Sequence, residues 1–174
     1  MKCLGPATAL VLLAGAARAE VTDTSPSGFE VRRSVEIAAP AAKVWAAMVA
    51  PGRWWSSQHS WSGKAQNFTF DPRAGGCWCE TLPGGGALHL TVTYVARGRE
   101  IRMFGQQGPF QFTGAVNTLD WKLAEKDGRT TVTWTFEAGG YVKGGIGQLA
   151  APVDGVMGEN IDRLKRYVET GTAQ

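Results

Sequence analysis

The sequence predicts an α+β domain in which about seven antiparallel strands curve around one long C-terminal helix, with two short helices after the first strand. Three observations predict it. Segments alternating apolar and polar residues recur along the chain. Glycine- and proline-rich turns separate them. Residues 150–169 carry Val153, Val156, Met157, Ile161, Leu164 and Val168 at helical spacing.

The first strand covers residues 29–37, with Phe29, Val31, Val35 and Ile37 on one face and Glu30, Arg32, Ser34 and Glu36 on the other. Pro40 stops it and suits the first turn of a helix over residues 41–49, which sets Val44, Trp45 and Met48 on one side. Pro51-Gly52 breaks that helix, and a second short helical turn is expected at residues 53–56. Strands follow over residues 67–71, 77–81, 87–96 and 100–105. In the third of these, Leu88, Leu90, Val92 and Tyr94 are expected to face the core, and His89, Thr91 and Thr93 to face away. Residues 106–112 read as irregular. Residues 115–124 and 131–138 form a hairpin around Asp127-Gly128, with Leu119, Trp121 and Leu123 facing Val132, Trp134 and Phe136. A glycine-rich loop around Tyr141 leads into the final helix, and residues 171–174 are a short tail.

The start of the chain has a different character. Lys2 precedes an almost unbroken run of apolar and small residues from Leu4 to Ala16, and Ala17-Arg18-Ala19 supplies a small-x-small cleavage pattern. Residues 1–19 therefore read as a cleaved signal peptide, the run being too short to span the bilayer. Export to the periplasm or medium is expected, with Glu20 as the new N-terminus, no stable membrane anchor after processing, and a flexible polar lead over residues 20–27. Loss of Lys2 and Arg18 takes the formal net charge from +3 to +1, which gives no electrostatic reason to seek nucleic acid. Cys77 and Cys79 are read as unbridged thiols, because residues i and i+2 of a regular strand lie at the outer limit for a disulfide. No metal-ligand spacing surrounds them, no phosphate loop occurs, and no cofactor is expected.

The order strand, two small helices, six strands and a long helix resembles the START/SRPBCC helix-grip superfamily. The segment from Val35 through Ala39-Pro40 to Val44-Trp45 is similar to that superfamily's opening, the Trp54-Trp55 pair to the tryptophans after it, and Pro72-Arg73-Ala74-Gly75-Gly76 to its turn before a strand. These marks resemble the branch named for activators of a heat-shock chaperone ATPase, which also looks like polyketide cyclases. The tail from Gly139 to Arg166 looks like an exported bacterial subgroup. The resemblance spans residues 28–170 and implies a helix-grip fold. It leaves the activity open, since that fold serves lipid carriers, hormone receptors and cyclases. Export puts a cytosolic chaperone out of reach.

No catalytic constellation is evident. His59 reads as a solvated loop histidine, His89 as solvent-facing, and Asp154 as a complement to the dipole of the final helix. Gly155 and Gly158 thin that helix, either for close packing or to vacate a ligand volume beside Met157 and Asn160. The residues expected to line such a volume are Tyr94, Met103, Asn117, Trp121, Trp134, Tyr141, Met157 and Asn160, with Asn117, Tyr141 and Asn160 as its polar groups. The expected function is a carrier or sensor of a hydrophobic small molecule. A cyclase- or hydrolase-type enzyme using the same cavity and an interaction domain with a filled core are the alternatives.

Overall fold

The computed structural model describes residues 19–174. The expected signal peptide lies, apart from Ala19, outside the described residues. Eight strands form one antiparallel sheet: β1 (Ala19–Thr24), β2 (Gly28–Ile37), β3 (Phe68–Phe70), β4 (Cys77–Leu82), β5 (Gly85–Ala96), β6 (Glu100–Gly105), β7 (Gly114–Lys126) and β8 (Arg129–Tyr141). Their spatial order is β1-β2-β8-β7-β6-β5-β4-β3. Helix α1 (Ala41–Met48) follows β2, and α2 (Ala150–Thr170) closes the chain against the concave side of the sheet.

Local chemistry accounts for the punctuation. Pro40, at φ −65°, precedes α1. Gly171, at φ +85°, ends α2, its N–H bonding the carbonyl of Tyr167 at 2.9 Å. Asp127 and Gly128 both take positive φ, 53° and 73°, as a two-residue hairpin turn between β7 and β8 requires. The second short helix shrinks to isolated 3-10 turns at Pro51–Arg53 and Ser57–His59.

The polar lead expected at residues 20–27 is instead largely β1, paired along β2 from Ala19↔Arg33 to Thr24↔Phe29. An edge strand held by main-chain bonds to one neighbour needs no apolar alternation, so its sequence reads as a lead. Cys77 and Cys79 are joined as a disulfide with their Cα atoms 5.5 Å apart, not left as free thiols. The register of β4 against β5 slips between Trp78 and Cys79, so the strand is kinked where a regular one was assumed.

Bulges also redirect side chains on β5. Trp78 pairs with Leu90 and Cys79 with Leu88, leaving His89 without an opposite residue. Consecutive His89 and Leu90 both turn inward, and Leu88 is exposed. A second slip, between Val92 and Tyr94, turns Tyr94 outward, where the Arg102 guanidinium lies 4.9 Å over its ring.

The centre of the core is aromatic. Trp121 and Trp134 are register partners and stack at 5.1 Å. Trp54 packs on both, at 6.2 and 5.8 Å, and its Nε1 donates to the carbonyl of Ala47 at 2.8 Å. Trp78 meets Trp121 edge-on at 5.3 Å. Trp45, Trp54 and Trp55 are all buried, as expected of structural packing.

Candidate functional site

The space opposite Trp121 and Trp134 is filled. Trp54 occupies it, and both tryptophans and Met103 are buried core side chains outside the cavity described next. Gly158 does not open a gap either. Arg33 is the one charged residue on the inward face of β2, and a Cβ on Gly158 would lie 2.6 Å from its guanidinium carbon. Arg33 Nε donates to Asp154 Oδ1 at 2.8 Å and its terminal nitrogen to the Asp154 carbonyl at 3.0 Å. Asp154 is thus an ion-pair partner beyond its place near the start of α2. Nothing lies within 4 Å of a Cβ on Gly155, which faces outward.

A cavity of about 250 Å³ lies further along, between the first turns of α2 and one end of the sheet. Trp55, Trp61, Phe68, Phe110 and Phe136 give it aromatic walls, and Val153, Val156 and Met157 present the α2 side. Met157 alone of the expected site residues lines it. Tyr94 is turned away by its bulge, and Tyr141, 75 % exposed at the end of β8, stands outside it. Asn117 and Asn160 act one step back. Asn117 Oδ1 accepts the Gln107 N–H at 2.9 Å, fixing a rim residue. Asn160 Oδ1 accepts the Ser56 N–H at 2.8 Å while its Nδ2 donates to the Val156 carbonyl at 2.9 Å, which ties the 55–61 segment to α2.

Both histidines of the chain line this cavity, contrary to the expectation that they face solvent. His59 Nε2 lies 2.9 Å from Glu159 Oε2 on α2. Asp154 and Glu159 do not share a helix face, and each meets its own cation or imidazole. His89 is 4 % exposed, and its Nε2 lies 3.0 Å from Oε2 of Glu80, itself 2 % exposed. Glu80 also accepts the N–H of Trp61 at 3.0 Å and of Ser62 at 2.6 Å. One buried carboxylate therefore anchors a strand, a histidine and the loop that carries a cavity wall.

The electrostatics of the pair follow from these contacts. Burial pushes the Glu80 carboxyl up, but hydrogen bonds from Ser62, Trp61 and His89 outweigh it and hold its pKa below the ordinary value. Burial lowers the pKa of His89, and the opposing pull of Glu80 is not enough to restore it. At neutral pH the pair is an ionised carboxylate and a neutral imidazole. The carboxylate can only accept, so the imidazole proton sits on Nε2 and Nδ1 is left as an acceptor. Glu159 is likewise held low: burial raises it, and Ser56, His59 and Arg163 more than compensate. The site combines an apolar volume with imidazoles oriented by carboxylates, an arrangement suited to hydrogen bonding or proton transfer at a bound molecule.

Sequence parity alone conceals His89, because the bulge reverses it. The Cys-x-Cys pair at 77 and 79 is the signal that a kink interrupts this region.

Solved structures share the fold. CalU16 from Micromonospora echinospora superposes with a TM-score of 0.60 at 16% identity, over 88% of this chain and 84% of its own. Aha1 from Colwellia psychrerythraea, solved as a dimer, gives a TM-score of 0.59 at 15% identity, over 82% and 97%. A conserved protein of unknown function from Enterococcus faecalis gives 0.59 at 11% identity, over 90% and 78%. A search of curated protein sequences gives no significant match. The sequence profile described as polyketide cyclase / dehydrase and lipid transport matches residues 28–169, from the start of β2 to within one residue of the end of α2, and the chain belongs to that family.

Proposed function

We propose that this protein is an exported carrier or sensor that binds a small hydrophobic molecule between its sheet and α2. One observation carries the reading: a cavity of about 250 Å³ walled mostly by aromatic and aliphatic side chains, with a few placed polar groups. Membership of a family described by cyclase, dehydrase and lipid-transport activities supports an organic ligand. Export is supported by the signal-like residues 1–19 and by the Cys77–Cys79 disulfide, a bond that persists in oxidising compartments. Cleavage after Ala19 leaves a near-neutral domain free of its apolar leader, whose partner is a small molecule and not nucleic acid.

Native mass spectrometry of protein purified from its natural host tests the binding. A co-purifying apolar compound supports it. Bare protein that also fails to bind a fluorescent apolar probe overturns it in favour of an interaction domain. The intact mass in the same spectrum should begin at Glu20, and a chain that retains Met1 would overturn export.

A second reading, an enzyme of cyclase or hydrolase type, is favoured by the two carboxylate-backed histidines on the cavity wall. A captured compound whose mass changes on incubation with the protein marks that case.

A further inference from the structure

We propose that the cavity recognises an aromatic alcohol, a flat apolar body with one hydroxyl group that donates its hydrogen bond to Nδ1 of His89. The inference rests on the ligand-binding reading above and adds the chemistry that selects the ligand.

Three observations fix the class. First, Glu80 determines the tautomer. Its two oxygens are engaged by the Trp61 and Ser62 amides and by His89 Nε2, all of which must donate to it. His89 Nδ1 makes no hydrogen bond with the described residues and is not among the fully sealed polar atoms left without a partner, so it keeps some access on a residue that lines the cavity. A ring nitrogen acceptor on a nearly buried imidazole then meets either a water or a ligand donor. Second, the walls are aromatic. Phe68 packs at 5.3 Å from the His89 ring, and Trp55, Trp61, Phe110 and Phe136 complete a lining suited to a flat ring system. Third, the size is limited. A cavity of about 150 Å³ holds benzene. The 250 Å³ found here suits a bicyclic aromatic and excludes a long-chain lipid lying wholly inside.

A ligand hydroxyl gains a hydrogen bond at Nδ1. An ether or a bare hydrocarbon of the same shape leaves that acceptor unpaired. The neutral form of His89 is the one that accepts. Groups that bear on it are Glu80 from β4 and, from the surrounding wall, the His59–Glu159 pair.

The test uses the mature protein with 2-naphthol, 2-methoxynaphthalene and naphthalene, with affinities read from quenching of tryptophan fluorescence and confirmed by calorimetry. Wild type should bind naphthol about three- to tenfold more tightly than the other two, the worth of one buried hydrogen bond. His89→Phe should bring that ratio to about one, on the loss of the same bond. Glu80→Gln gives an independent readout. Oε2 of Glu80 accepts from both the Trp61 amide and His89 Nε2, so the amide oxygen of the glutamine takes that place, the imidazole proton stays on Nε2 and the naphthol preference should persist; its inversion would overturn the assigned tautomer. Circular dichroism checks that each variant is folded. If one is not, the wild-type ratio measured across pH replaces it, and the ratio should fall as His89 takes a proton. Equal wild-type affinities for the three compounds would overturn the proposed recognition while leaving the binding cavity standing. No binding of any of them by wild type would overturn both.

Discussion

Arg33 on β2 lies directly over Gly158 on α2, so that a Cβ at position 158 would fall 2.6 Å from the guanidinium carbon. The glycine thus provides room for an inward-facing cation that is satisfied by Asp154. Gly158→Leu should displace Arg33 and break the pair. Overpacking of this kind typically destabilises by about 1–3 kcal/mol. The gain in helix propensity of roughly 0.7–1 kcal/mol offsets only part of it. Gly155→Ala is the contrast: nothing stands within 4 Å of the new Cβ, so stability should rise by about 0.8–1 kcal/mol. Urea denaturation of both variants checks the opposite signs.

Stability should fall in two stages on acidification. The folded His89 pKa is lowered, chiefly by burial and against the pull of Glu80, so below the unfolded value of 6.5 the unfolded chain binds a proton that the folded chain resists. Its contribution is complete above 6.5 and declines as pH falls toward the folded value. The Glu80 pKa is also lowered on balance: burial raises it, and hydrogen bonds from Ser62, Trp61 and His89 prevail. Its contribution is present above 4.5, the unfolded value, and is lost as pH falls through the folded one. Unfolding free energies measured from pH 8 to pH 3 should show both declines, with the first absent in His89→Phe. A profile flat between pH 7 and pH 5 would contradict the buried neutral imidazole.

The legibility of this chain divides along its bulges. Regular alternation marks β2, β7 and β8, and the stripe from Val153 to Val168 marks α2, because period-two and helical spacing survive wherever the backbone is regular. The site lies where the backbone is irregular. One slip beside Trp78 and Cys79 brings His89 inward, and another beside Val92 sends Tyr94 out, so parity picks the wrong residue in each case. Asn117 and Asn160 stand out as polar residues among apolar ones, yet both brace the main chain near the cavity and do not line it. Met157 does line the cavity, because helical spacing fixes its direction. Trp54 shows the remaining difficulty: its sequence neighbours say that it is buried, but only the fold reveals that it fills the space in front of Trp121 and Trp134.

The Cys77–Cys79 bridge should be visible chemically and matter little to global stability. Alkylation of denatured, unreduced mature protein should label neither cysteine, and both should react after reduction. A loop this short constrains the unfolded chain little, so the Cys77→Ser/Cys79→Ser variant should lose roughly 1.5 kcal/mol by loop-closure entropy. Its larger effect should fall on the cavity. Release of the bulge allows β4 to regain regular register, which moves Glu80, the next residue, away from His89. Weakened probe binding with a modest change in urea midpoint is the expected combination. Unchanged binding would show that other contacts hold the bulge.

Filling the cavity separates a vacant volume from a packed core. Val156 lines it from α2 and is only partly buried. Its carbonyl accepts from Asn160 Nδ2, a contact that a change of side chain leaves in place. Val156→Trp adds a bulky ring at the wall of a 250 Å³ space. If that space is open, the ring enters it, and the added apolar burial contributes at roughly 25 cal/mol per Å². The melting temperature should then hold or rise while binding of a fluorescent apolar probe is lost. If the space is closed in solution, the new ring overpacks the core and about 1–3 kcal/mol of stability disappears. The comparison with Gly158→Leu sharpens the outcome. That substitution acts at Arg33, outside the cavity, and should lower the melting temperature while probe binding persists in the folded fraction. The reverse pattern, binding lost in Gly158→Leu and retained in Val156→Trp, would place the binding site beneath Arg33 instead of between Val156 and His89.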